Sequence, residues 1–129
     1  MTPELAALAA TAFIHLAAVG WSQKCLTDDI GKEGNAAPRD GELNLSTRTN
    51  RLRRALANHT ENIGPFIIAV VLVELTGTNG PLTAGAAWVF VAARTLYLPA
   101  YAFGWVPWRS LIYTVGLLAT FTMIVRSLF

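Results

Sequence analysis

Nine side chains that can hold or activate an organic anion fall at helical spacings in this chain. Arg54, Asn58 and Glu61 are spaced i, i+4, i+7 and share one helix face. Arg94, Tyr97 and Tyr101 are spaced i, i+3, i+7 and do the same. Arg109 and Tyr113 are four apart, with Ser110 beside the arginine. Three arginines and one glutamate give the set a net charge of +2. Such a pocket fits an anion that also carries one positive group. The guanidinium forks take carboxylates, and Glu61 accepts an ammonium.

The elements that must position these residues are apolar. The chain has 129 residues, of which 53% are hydrophobic and only 14% charged. Soluble domains carry about 25% charged residues. Disorder needs low hydrophobicity and high charge, so it is excluded. The length fits one domain with no separate catalytic module. A single cysteine, Cys25, excludes an internal disulfide framework and a cysteine-based zinc site. The net charge of +2 is too small to imply nucleic acid.

Leu5 to Gln23 is 19 residues without a formal charge, roughly 28 Å of helix, about one hydrocarbon thickness. The only charge before it is Glu4, so the basic start of a signal peptide is missing and an uncleaved span is expected. Lys24 to Thr49 reads as a polar loop. A second helical pattern is basic at first (Arg48, Arg51, Arg53, Arg54) and then apolar to Leu75, with Pro65 expected to kink it. Thr76 to Pro81 and Gly104 to Trp108 are turns by composition. The reading is an all-α integral membrane protein, a four-transmembrane-helix bundle. Its spans are about 4–23, 50–75, 82–103 and 109–127, with a loop over about 24–47.

Lys24, Lys32, Arg39, Arg48, Arg51 and Arg53 crowd the long connection, whereas the 76–81 turn has no basic residue. The positive-inside rule then places the long loop in the cytoplasm and both termini on the opposite side, with Arg126 opposing it. Glu61 lies 14 residues before Leu75, and Arg94 lies 12 after Leu82. These are depths of roughly 21 and 18 Å from the outer ends of their helices. Three helices therefore bring polar faces to one level. Intramembrane ionisable groups are functional candidates by default, though Glu61 and Arg94 at similar depth could equally form a structural ion pair. Glutathione, with two carboxylates, an ammonium and an ionisable thiol, fits the charge balance, as do other amphoteric anions.

The run Arg54-Ala55-Leu56-Ala57-Asn58-His59-Thr60-Glu61-Asn62, followed by Pro65-Phe66, resembles the second-helix signature of the MAPEG family, the membrane-associated proteins of eicosanoid and glutathione metabolism. Arg94-Thr95-Leu96-Tyr97-Leu98-Pro99-Ala100-Tyr101 is similar to that family's third-helix motif. Arg109-Ser110-Leu111-Ile112-Tyr113 resembles the fourth-helix start of its prostaglandin E synthase and microsomal glutathione transferase branch. Order, spacing and helix count agree over essentially the whole chain.

The resemblance implies a homotrimer with glutathione as cosubstrate, bound bent between neighbouring subunits. Glu61 would take the γ-glutamyl ammonium. Arg54, Asn58 and Arg94 would hold carboxylates, and Tyr97 and Tyr101 would donate hydrogen bonds. Tyr113 would pack on the cysteinyl part. Arg109 and Ser110 would stabilise the thiolate, which attacks a lipophilic electrophile or hydroperoxide from the bilayer. No metal is expected. Two departures stand out: Lys24 is the only basic residue at the end of the first span, where several members have arginine, and Asn62 replaces a frequent tyrosine.

Two other readings compete. A non-catalytic binding or scaffold protein of the same fold would keep the pocket without activating a thiol. A small multidrug exporter would need a deep carboxylate, typically in the first span, which here offers only His15. His15 and His59 lack recognisable metal spacing.

Overall fold

Local chemistry sets the helix ends in the computed structural model, which describes residues 1–129. The chain forms four helices, α1 (Pro3–Ala36), α2 (Thr47–Thr76), α3 (Pro81–Ala102) and α4 (Trp108–Leu128). Thr2 caps α1 by accepting the Leu5 amide, with Pro3 in the first helical turn. Ser46 caps α2 by accepting the Thr49 amide at 3.2 Å. Gly77 ends α2 in the left-handed conformation, φ +67, which lacks a steric cost only for glycine. Both Pro65 and Pro99 lie within helices that continue across them.

The long polar connection corrects the expected loop over 24–47. It is helical as far as Ala36, and only residues 37–46 are non-helical. Hydrogen-bonding side chains carry the extension. Lys24 and Asp28 pair one turn apart at 2.7 Å, and Asn35 donates to Thr27 at 2.9 Å and to Gln23 at 3.2 Å. Gly31, at φ +75 and ψ 170, bends the helix just before this last stretch. Such a backbone is essentially restricted to glycine. Pro38 lies just beyond the C-cap, where it cannot continue a helix.

Consecutive helices run antiparallel, α2 packs against the other three, and α1 does not pack on α4. The main core joins Ala7, Phe66, Ala69, Val70, Val73, Ala87, Phe90, Ala119 and Met123. Phe66 and Phe90 stack with ring centroids 3.9 Å apart. Small residues on each helix let the backbones approach closely. At one end Thr83 donates to Glu4 and Thr2 to Glu74, tying α1 to α3 and α2. At the other end lie the start of α2 and the α3–α4 turn.

The outside is apolar. Phe13, Leu16, Ile68, Leu96, Leu118 and Phe121 are all more than half exposed, as expected of surface meant for lipid. α1, α2 and α4 are long and apolar enough to cross a membrane. α3, the fourth expected span, has 22 residues but carries Arg94.

Candidate functional site

Arg94 organises the polar layer. It projects from α3 into the bundle and is fully buried. Its Nη1 donates to Asn58 Oδ1 on α2 at 3.2 Å. Its Cζ lies 4.6 Å from the Tyr97 ring centroid, 5.6 Å from Tyr113 and 5.7 Å from Phe90. Aromatic faces attract a guanidinium more strongly where water is excluded. It packs against Gly116 on α4: a Cβ there would sit 3.5 Å from Nη2 and 3.6 Å from Nε, in ordinary contact. These two nitrogens have no protein partner.

Above this arginine three helices converge on a cavity of about 300 Å³. It is lined by Asn58 of α2, Tyr97 and Tyr101 of α3, and Arg109, Ser110, Tyr113 and Thr114 of α4. The tyrosine rings form a cluster, with Tyr97 5.8 Å from Tyr101 and 6.2 Å from Tyr113. Arg109 lies over Tyr101, Cζ to centroid 4.6 Å. Asn62 holds Asn58 in place: its Nδ2 donates to the Asn58 carbonyl at 2.8 Å and to Oδ1 at 3.4 Å.

The helical spacings thus bring six of the nine expected residues to one cavity and place Arg94 at its base. Arg54 and Glu61 do not line it; both stand exposed on the outer surface of α2. Glu61 makes no ion pair with Arg94, since the chain's one ion pair is Lys24–Asp28. Thr114 and Asn62 were not among the expected site residues. Thr114 sits four residues after Ser110 and donates to its carbonyl, a spacing that could have flagged it. The Asn58–Asn62 spacing of four likewise carried a readable signal.

Charge defines what this cavity can take. Arg109 lines it, Arg94 underlies it, and no carboxylate is among its walls. The bilayer's low dielectric strengthens both positive charges' pull on an anion. The two unpartnered nitrogens of Arg94 are themselves buried on the Gly116 side, so its pull on an anion in the cavity is through its charge.

His15 and His59, which no spacing in sequence links, meet between α1 and α2 with centroids 5.6 Å apart. His59 is fully buried, and neither of its ring nitrogens has a partner. A larger groove, about 430 Å³, opens between α1 and α2 with mostly apolar walls that include His15. It shares no residue with the arginine–tyrosine cavity.

Fold and site together define a four-helix membrane protein with a positively charged cavity built from three helices. The MAPEG family model matches residues 4–129, so the chain belongs to the MAPEG family. That family includes glutathione-dependent transferases and peroxidases and also non-catalytic members. No curated protein and no solved structure matches the chain.

Proposed function

We propose that the protein is a membrane-bound, glutathione-dependent transferase or peroxidase acting on lipophilic electrophiles or hydroperoxides. The observation that carries this reading is the cavity where Arg109, Ser110 and three tyrosines surround a space with no carboxylate wall. Glutathione, as cosubstrate, supplies the nucleophilic sulfur and two carboxylates. The residues fit: Arg94 adds buried positive charge beneath the cavity, and Tyr97, Tyr101 and Tyr113 line the space itself.

A free thiol titrates about 1.5 units above neutral pH and is mostly protonated there. Only the thiolate is an effective nucleophile. A guanidinium within about 4–6 Å lowers a thiol's pKa by roughly 1–3 units. Arg109 performs this role, and the Ser110 hydroxyl donates a hydrogen bond to the developing charge. The proton leaves to water through the open side of the cavity. Asn58, held by Asn62, fixes Arg94 beneath the cavity, where its charge attracts the bound anion.

Arg54 and Glu61 act across a subunit boundary in this reading. An exposed glutamate this deep in a span is costly against lipid. A homotrimer in which the α2 face of one copy closes the cavity of the next removes that cost and adds a carboxylate for the ammonium. By the basic character of the α2 start, the cavity's end faces the cytoplasm and both termini face the other side.

Ultraviolet absorbance of bound thiolate in detergent-purified protein tests the reading. Saturable absorbance that disappears in Arg109→Ala and weakens in Glu61→Gln is the expected result. Binding without thiolate would make this a non-catalytic member of the family. Absence of binding would remove glutathione from the function.

A further inference from the structure

A second basic feature lies outside the cavity. Arg48, Arg51, Arg53 and Arg54 occupy the first turns of α2, and none has a carboxylate within ion-pair distance. Asp28 and Asp29 share a small cleft of about 90 Å³ with Arg48. Asp28 is already paired with Lys24 at 2.7 Å, and Asp29 accepts the Ser46 amide at 2.8 Å.

Two of the four arginines are directed onto the α3–α4 turn. The Arg51 guanidinium rests against Gly104, where a Cβ would lie 2.8 Å from Nη1 and 3.2 Å from Cζ. Gly104 also adopts φ +70, a conformation that favours glycine. Arg48 Cζ lies 6.0 Å from the Phe103 ring centroid. Phe103 in turn sits 6.1 Å from both Trp21 and Trp105. Below the turn, Trp108, Leu111, Val115 and Leu118 are exposed on α4, at spacings of three and four that share one face. Neither Arg48 nor Arg51 lines the arginine–tyrosine cavity.

We propose that Arg48 and Arg51, framed by Phe103, Gly104 and Trp105, bind the phosphate headgroup of an anionic phospholipid. Guanidinium forks match phosphate oxygens in pairs. Indole rings settle at the boundary between headgroups and hydrocarbon. The exposed apolar stripe on α4 adds to a bundle surface that acyl chains can cover. A soluble phosphate would use the arginines but not the indoles or the stripe. Each basic residue beside a membrane span strengthens anionic-lipid attraction by about fivefold, falling as salt rises.

Quenching of tryptophan emission in the detergent-purified full chain tests this, with brominated phosphatidylglycerol compared against brominated phosphatidylcholine. Trp21, Trp105 and Trp108 report on the site. The anionic lipid is expected to quench at lower mole fraction, with the preference fading as salt is raised. Arg48→Gln with Arg51→Gln lowers it by about fivefold for each arginine. Arg48→Lys with Arg51→Lys keeps the charge and retains a clear preference. Equal quenching by both lipids overturns the proposal, as does an anionic preference unchanged in the glutamine pair. Loss of preference in the lysine pair as well would trace the effect to packing and also overturn it. Full displacement of the lipid by inorganic phosphate would make this a soluble-anion site, not a lipid site.

Discussion

At the scale of single residues, the site depends on how Arg94 is held. Its one side-chain hydrogen bond inside the chain is to Asn58, at 3.2 Å. Asn58→Ala leaves a buried guanidinium nitrogen unpartnered, at a cost of about 1–3 kcal/mol. Thermal unfolding in detergent should show the loss, with glutathione affinity falling alongside it. Gly116 makes a sharper test. A Cβ there meets Ala93 at 3.4 Å and Arg94 Nη2 at 3.5 Å, which is ordinary contact. Gly116→Ala should therefore fold and bind as the parent does. Gly116→Leu places further carbons where the guanidinium lies, and glutathione binding should drop at least tenfold while the helical content stays unchanged. Equal binding by the leucine variant would show that Arg94's position is not needed.

At the scale of elements, the extension of α1 past the membrane-length stretch is the least expected part of the fold. Gly31 turns it at φ +75, ψ 170. Gly31→Val forces a β-branched residue into a conformation that costs about 1–3 kcal/mol. Residues 32–46 should become faster targets of limited proteolysis, with the bundle itself intact. Asp29 adds a pH dependence. Hydrogen bonds from Thr49 and Ser46 hold its carboxylate below the ordinary value of 3.8. A depressed folded pKa gives stability that is present above the unfolded value and is lost as pH falls through the folded one. Proteolysis of the 37–46 connection should accelerate on acidification below about pH 4, and Asp29→Asn should flatten that response.

The same elements show what was legible in the sequence. Arg94, Tyr97, Tyr101, Arg109 and Tyr113 could be read because helical periodicity alone puts them on common faces, and the bundle preserves those faces. The end of α1 could not be read by that route. A helix outside the membrane, held by Lys24–Asp28 and Asn35 contacts, shows no apolar period. Turn-like glycines and aspartates instead suggested a loop. The His15–His59 contact was hidden because it joins two helices with no shared spacing. It depends on the register of α1 against α2.

At the scale of the whole molecule, two of the expected site residues stand apart from the cavity. Glu61 and Arg54 stand exposed on α2 while the cavity they were expected to serve is walled without them. If the cavity of one copy is closed by α2 of the next, two defective chains can repair each other. A chain with Arg109→Ala still supplies a normal α2 face to its neighbour. A chain with Glu61→Gln still supplies a normal Arg109. Mixed at equal amounts before assembly, they should show about a quarter of the parental thiolate absorbance from fully intact sites, plus about a quarter of what Glu61→Gln retains alone. In a closed ring with random neighbours, half the sites have an intact Arg109, and half of those face an intact Glu61. If both residues served a single chain's site, every chain in the mixture would carry one lesion, and its absorbance would equal the mean of the two variants measured alone. Absorbance above that mean therefore tests shared sites directly. It also separates assembly from folding, because each variant alone must show the parent's helical content and oligomer size for the comparison to be made.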